Sequence, residues 1–444
     1  MKKVQKYFKR AIDDILMSWK TDLGRKPLLL RGARQVGKSS AIKEFSKHFE
    51  FYVEINFEEQ RNIHRLFAGD LSPKELCENL SVLYNTPIVA GKTLLFFDEI
   101  QSCIPAISSL RFFYEKMPDL HLISAGSLLE FALKEIPSFG VGRVRSVFVY
   151  PFSFDEFLRA IGETGLLEMK LKANAENPLP DPIHLKLISY LKKFLISGGM
   201  PEVVASYIRN DNLMAVQQIL DDLIISIRSD FAKYKKTIPA LRIAEVFDSV
   251  SNQTGGKFVF AKAATQTNLK QIKEALDLLI MSGLIIPVTH SSCNGIPLGA
   301  EIDDKKRKMI LLDTGIFQRI LGLNLSGILL ENDYDGINKG AIAEMFVGLE
   351  LLKSSSAYTQ EKLYYWHRET ASSNAEVDYV IQNEENIIPI EVKSSQKGSM
   401  QSMYRFMEEK KRKKGIRISL ENFSQIGNIL IIPLYAISNI KSEN

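Results

Sequence analysis

Two groups of residues in this 444-residue chain have the types and spacing to do chemistry. The first is the run Gly32-Ala33-Arg34-Gln35-Val36-Gly37-Lys38-Ser39-Ser40, which satisfies Gly-x-x-x-x-Gly-Lys-Ser. It lies between an expected strand, PLLLRG (27–32), and an expected helix near 38–48. A bound phosphate needs that order. Gly32 and Gly37 let backbone N–H groups wrap the anion, and the helix N-terminus adds its positive dipole end. Lys38 is expected to reach β- and γ-phosphates, and Ser39 to offer its hydroxyl to Mg2+, which makes ATP the implied ligand. Further on, TLLFFDEI (93–100) ends an apolar strand in Asp98-Glu99, at the carboxyl edge where open α/β sheets bind ligands. Asp98 is expected to hold Mg2+, through water or the Ser39 hydroxyl. Glu99 would orient or deprotonate the attacking water. HLISAGS (121–127) ends another strand in polar residues, so Ser127 or Ser124 is placed to sense the γ-phosphate. Arg143 is the candidate cationic finger, supplied to a neighbouring subunit, with an ordinary surface ion pair as its alternative. Residues near Tyr7 and Arg10 are candidates to lie beside the base.

The second group lies in NAEVDYVIQNEENIIPIEVK (374–393). Asp378 falls in one expected strand and Glu391-Val392-Lys393 in the next. Strand period two puts Glu391 and Lys393 on one face, and Glu376 and Asp378 on one face of their own strand. Two carboxylates and a lysine make a hard oxygen site for Mg2+ or Mn2+, with Lys393 placed to position or deprotonate a water. Glu344, from an expected helix at 339–353, is the candidate to complete the metal set. The alternative is a solvated strand face, where Glu-x-Lys is common. Two basic runs, Lys305–Lys308 at an expected hairpin tip and Lys410–Lys414 at an expected helix end, suit nucleic-acid phosphates or simply water.

The elements that must position these residues follow from pattern. Near-continuous apolar runs at 27–32, 51–57, 93–100 and 121–127 alternate with helical stretches, which predicts a parallel sheet covered on both faces. The run at 51–57 supplies a strand between the two motif strands, which suggests the additional-strand class of P-loop ATPases. Residues 162–182 lose periodicity and read as an irregular excursion, and 183–250 read as mainly helical. KQIKEALDLLIMSGLIIPV (270–288) reads as a helix stopping at Gly283 and turning into a strand. With a polar turn at 301–308 and a strand at 309–313, this is a winged-helix pattern. The last hundred residues read as helix 339–353, strands 363–367, 375–382 and 387–393, helix 399–414 and strand 428–435. The fold class expected is α/β in three domains: 1–205, 206–330 and 331–444.

Composition narrows the classes. With 45% hydrophobic and 25% charged residues, the chain is not a disordered, collagen-like or coiled-coil sequence. A net charge of +5 is compatible with a polyanion partner. Cys77, Cys103 and Cys293 have unrelated spacings that fit neither a disulfide framework nor a zinc site, but do fit a reducing compartment. The N-terminus does not read as a signal peptide, and the apolar stretch at 426–437 is too short for a membrane span. A cytoplasmic protein with no membrane partner is the expectation.

RGARQVGKS (31–39), FFDEIQ (96–101), AGSLLE (125–130), VYPFSFDEFL (149–158), GGMPEVV (198–204) and EVDYVI…PIEVK (376–393) occur in one order. In this the chain resembles the prokaryotic AAA-type P-loop ATPases that carry a C-terminal nuclease-like domain of unknown function. The resemblance implies an ATPase core with a small helical lid, a winged-helix middle and a restriction-endonuclease-like end. It assigns Gly32, Gly37, Lys38 and Ser39 to nucleotide binding, Asp98 and Glu99 to hydrolysis, and Asp378, Glu391 and Lys393 to the nuclease-like motif. That family usually has Thr at the position of Ser39. The activity implied is a Mg2+-dependent ATPase acting as a nucleotide-driven switch on DNA, as an oligomer if the finger acts in trans. The alternative is a nucleotide-regulated scaffold with a protein partner and an inactive nuclease-like domain.

Overall fold

Leu28, Leu29 and Leu30 are wholly buried, so the strand they form must be covered on both faces. A computed structural model describes the chain except residues 1–6, 70–71, 136–141, 211, 235–237, 264–267, 324–338, 369–374, 395–399 and 442–444. The expected domain boundary at 330–331 lies outside the described residues. The chain divides into two units, Met1–Pro151 with Met281–Gly283 and Ser356–Gln360, and Phe152–Ile280 with Leu284–Ser355 and Glu361–Asn444.

The first unit is built on a five-stranded parallel sheet of β1 (Leu28–Arg31), β2 (Phe51–Asn56), β3 (Thr93–Asp98), β4 (His121–Ala125) and β5 (Arg145–Phe148). Its order is β2-β3-β4-β1-β5, the arrangement of a P-loop NTPase domain. β2 follows β1 in sequence but lies at the sheet edge. The strand that separates β1 from β3 in space is β4. All six residues of β3 are buried, as an apolar run inside a parallel sheet requires. Phe97 packs edge-on against Phe57 and Phe113, with ring centroids 5.5 and 6.1 Å apart.

The second unit holds a mixed eight-stranded sheet. Its strands are β6 (Ile285–Ser291), β7 (Ile302–Leu311), β8 (Leu363–His367), β9 (Glu376–Asn383), β10 (Asn386–Val392), β11 (Gly415–Ser419), β12 (Ser424–Ile426) and β13 (Ile429–Pro433). The order is β12-β13-β11-β10-β9-β8-β6-β7. The hairpin expected as a wing is therefore continuous with the C-terminal strands, through the parallel pairing of β6 with β8. Residues 302–308, expected as a polar turn, are strand. β7 is the sheet edge, where charged side chains are tolerated. The expected irregular stretch contains the helix Thr164–Lys172. Its inner face is Leu166, Leu167 and Lys170, and a lysine at an inward position hid the periodicity. Lys170 is wholly buried, with Nζ donating to Asp155 at 2.5 Å and to Ser438 at 2.7 Å. β11 and β12 were not expected, and the expected helix 399–414 is shorter, Gln401–Glu409.

The strings PFSFDEFL and GGMPEVV meet at one buried junction. The Phe152 N–H donates to Gly199 O at 2.7 Å, and the Gly199 N–H donates to Asp313 Oδ2 at 2.6 Å. Asp313 also caps the helix Thr314–Ile320 by accepting from the Ile316 N–H at 3.0 Å. Gly198 sits at φ +75°, and a Cβ there would fall 2.1 Å from Asp313 Oδ1. These strings are matched by packing, not by catalysis. Asp313→Ala should strand two buried N–H groups and destabilise the second unit by about 2–6 kcal/mol, at roughly 1–3 kcal/mol per unsatisfied group. A lowered urea midpoint checks this, and an unchanged midpoint contradicts it.

Candidate nucleotide site and carboxylate cluster

β1 ends at Arg31, and the chain turns at once over the end of the sheet. Gly32 has φ +142°, and a Cβ there would lie 2.1 Å from Val149 O, so no side chain fits. Gly37, at φ +93°, is the left-handed residue that opens the helix Lys38–Phe45. Arg10, buried, braces the loop by donating to Val36 O and Tyr150 O, both at 2.8 Å. It is thus a support for the loop, and Tyr7 donates to Asp13 Oδ1 at 2.8 Å. Arg34 pairs with Glu58 at 3.1 Å, while Gln35 and Ser40 are exposed and Ala33 and Val36 are buried.

Lys38 is buried, and its Nζ donates to Gly32 O at 2.9 Å and Ala33 O at 2.8 Å. Burial lowers its pKa to about 8, against the opposing pull of Glu99 and Asp98. The Ser39 hydroxyl donates to Asp98 Oδ2 at 3.0 Å, and Asp98 Oδ1 accepts the Glu99 N–H at 3.1 Å. Burial raises the Asp98 carboxyl above the usual range, partly offset by the Ser39 hydrogen bond. A hydroxyl and a carboxylate meeting beside a buried lysine form a donor set that fits Mg2+.

Glu99 is left-handed at φ +48°, a strained conformation for a side chain with a Cβ and one typical of functional positions. Its Oε2 accepts from Gln101 Nε2 at 2.5 Å and from the Ser127 hydroxyl at 3.4 Å. Sequence reasoning missed Gln101 as a functional residue. The signal lay in FFDEIQ and the following AGS: a Cβ on Gly126 would fall 2.1 Å from Gln101 Oε1. Ser124 is wholly buried inside β4, with no hydrogen-bond partner among the described residues, so Ser127 is the serine at the site. Arg143 is half-exposed and its Nε donates to Glu115, at the end of the helix Ile104–Lys116.

In the second unit, the register of β9 against β10 brings the expected carboxylates together. The Val392 N–H donates to Asp378 Oδ2 at 2.8 Å, and Lys393 Nζ donates to Glu391 Oε1 at 2.7 Å. Glu391 Oε2 is buried with no partner among the described residues. Glu344 comes from the helix Lys339–Lys353, and Tyr379 Oη donates to its carbonyl at 2.8 Å. Its carboxylate, however, accepts from Lys308 Nζ at 2.8 Å. The same ammonium lies 2.5 Å from Glu376 and 3.8 Å from Asp378. Lys308 is 1% exposed, not at the expected hairpin tip. Period two along β7 puts it in phase with buried Ile310, a signal that the surrounding basic run masked.

Burial pushes Glu344 and Glu391 up to about 7, with Lys308 opposing the rise at Glu344 and Asp378 adding to it at Glu391. Burial also raises Asp378. For Lys308, burial lowers the pKa but is outweighed by Glu344, Asp378 and Glu376, so the ammonium form is favoured. Among the described residues, no three His, Cys, Asp or Glu side chains are disposed to hold a metal ion. The expected set of Glu344, Asp378 and Glu391 does not fit a metal as placed, because an ammonium group stands against two of its members.

Residues 24–158 match the AAA domain family, so the first unit carries an AAA-type P-loop ATPase domain. Residues 188–326 match a domain of unknown function (DUF8612), and residues 339–437 match another (DUF4143). No curated protein matches the chain. Among solved structures, a Walker-type ATPase of Pyrococcus abyssi is similar at 16% identity and a TM-score of 0.48, over 72% of this chain and 97% of that one. The Orc1 protein of Aeropyrum pernix, in complex with DNA, is similar at 13% identity and a TM-score of 0.31, over 74% and 95%. AMPPCP-bound DnaA from Aquifex aeolicus is similar at 13% identity and a TM-score of 0.24, over 62% and 89%. No helix among the described residues is long and apolar enough to cross a membrane.

The Lys38 geometry has a pH signature. Phosphates favour the charged ammonium, so nucleotide binding raises a pKa that starts at about 8. ATP binding at pH 8.5–9 should therefore take up a proton, and affinity should fall as pH rises through about 8. Calorimetry in buffers of different ionisation enthalpy measures this. Binding with no proton uptake in that window contradicts it.

Proposed function

We propose that the protein is a Mg2+-dependent ATPase that works as a nucleotide-driven switch. The observation that carries this reading is the convergence of Lys38, the Ser39–Asp98 hydrogen bond and Glu99 at the carboxyl ends of β1 and β3. The loop amides between Gly32 and Gly37 bind the phosphates, and Lys38 neutralises the β- and γ-phosphate charge. Ser39 and Asp98 would hold Mg2+, which supplies further charge neutralisation when bound. Glu99 accepts a proton from the attacking water. Gln101 orients Glu99 from its other side, and Ser127 reads the phosphate that leaves. Arg143 is proposed as the finger offered to a neighbouring copy, for which it must leave Glu115.

DNA is the proposed object of the switch, through the second unit. Arg412 donates to Cys293 O at 3.3 Å and Asn294 O at 3.1 Å, and Lys410 donates to Asn294 Oδ1 at 2.7 Å. These bonds tie the basic run 410–414 to the β6–β7 hairpin that also carries Lys305, Lys306 and Arg307. The order helix, β8, β9, β10, helix, β11 supports a restriction-endonuclease-like reading of the C-terminal part. Lys308 favours a second reading, in which that part binds without cutting and the chain is a nucleotide-regulated scaffold.

Lys38→Ala should weaken ATP binding roughly 10- to 100-fold, matching a charged hydrogen bond worth about 1.5–3 kcal/mol. It should also abolish any response of DNA binding to ATP. Titration of labelled ATP and of labelled DNA, with and without ATP, reads both. A variant that binds ATP as the wild type does overturns the ATPase reading. DNA affinity that is absent, or insensitive to salt, overturns the DNA reading.

A further inference from the structure

The carboxylates of the second unit come from three elements: Glu344 from the helix Lys339–Lys353, Glu376 and Asp378 from β9, and Glu391 from β10. The residue that Glu344, Glu376 and Asp378 share comes from a fourth, while Glu391 is paired with Lys393 at 2.7 Å. Lys308 enters from β7, and two of its contacts, Glu344 at 2.8 Å and Glu376 at 2.5 Å, are within hydrogen-bond distance. Its Nζ also lies 3.8 Å from Asp378 Oδ1 and 5.1 Å from the centre of the Tyr365 ring. The ammonium is thus met by three carboxylates and an aromatic ring.

The backbone fixes this placement. Lys308 pairs with Val288 in the hairpin and bridges to Lys257 on its other side. The residue is thus fixed by strand pairing with β6 on one side and by a single bridge on the other, and not carried on a loop. A divalent ion bound by Asp378 would stand close to that ammonium, and like charges a few ångströms apart repel strongly where burial lowers the dielectric. Glu344 and Glu376 are already turned to Lys308, and Glu391 Oε1 to Lys393, which leaves Glu391 Oε2 beside Asp378.

We infer that Lys308 is the resident cation of this cluster, standing where a divalent metal would otherwise be held, so that the cluster takes up no Mg2+ or Mn2+. The site is then a latent divalent-cation site: three carboxylates whose built-in counter-ion keeps metal out, with Glu391 beside them on Lys393. The C-terminal part then has no metal with which to assist hydrolysis. This goes beyond the ATPase reading and does not rest on it, since the test uses no nucleotide.

The test is Mn2+ binding to the full-length, nucleotide-free protein, read from the electron paramagnetic resonance signal of free Mn2+. Wild type and Asp378→Asn should bind Mn2+ identically, any binding at Ser39 and Asp98 being common to both. Lys308→Met should gain one site at least tenfold tighter than anything wild type shows at the cluster. The double variant Lys308→Met/Asp378→Asn should lose it again. Lys308→Arg, which keeps the charge, should behave as wild type. Should Lys308→Met fail to fold, the comparison of wild type with Asp378→Asn decides alone. An Asp378-dependent Mn2+ site in wild type overturns the inference, as does a folded Lys308→Met that gains no site.

Discussion

A lysine ammonium is costly to bury unless oxygen atoms surround it, and the candidate site of each unit holds such a lysine. In the first unit the oxygens are backbone carbonyls. Lys38 is held by Gly32 O and Ala33 O, and the loop reaches this shape only because Gly32 has no side chain against Val149. The held ammonium is within electrostatic reach of Asp98 and Glu99, while the Asp98 carboxylate is met by the Ser39 hydroxyl and the Glu99 N–H. In the second unit the oxygens are carboxylates, and Lys308 compensates the charge that their strand register brings together.

The sheet order of the first unit turns this local arrangement into a site. β4 lies between β1 and β3, so the loop after β1 and the acidic pair after β3 face each other across one strand's width. That gap is spanned by a single hydrogen bond, from Ser39 to Asp98. Glu99, next in sequence, is forced into a left-handed turn and held there by Gln101 and Ser127. A carboxylate fixed in this way by two side chains is held in one orientation, as the proposed general base requires.

Much of this was legible in the residues. The loop, its lysine and serine, and the Asp-Glu pair follow from local spacing, because strand–turn–helix geometry is decided within a few residues. What escaped depends on tertiary context. Arg10 reads as a candidate to lie near the base, and only the fold shows it bracing the loop. Gln101 carries no charge, and its importance is set by Gly126 packing against it. Lys170 and Lys308 looked like solvent-facing residues because a buried lysine breaks the apolar period that marks an inner face. The β6–β7 hairpin was visible as a hairpin. Its membership of the C-terminal sheet was not, since the parallel pairing of β6 with β8 joins segments distant in sequence.

The account stands most directly on Glu99 as the group that activates water. Single-turnover hydrolysis of ATP with Mg2+ should compare wild type with Glu99→Gln, with nucleotide affinity measured in parallel. Near-wild-type ATP binding is expected, with hydrolysis slowed by roughly 10²- to 10⁴-fold, the usual contribution of a positioned general base. Hydrolysis by Glu99→Gln at the wild-type rate would contradict it.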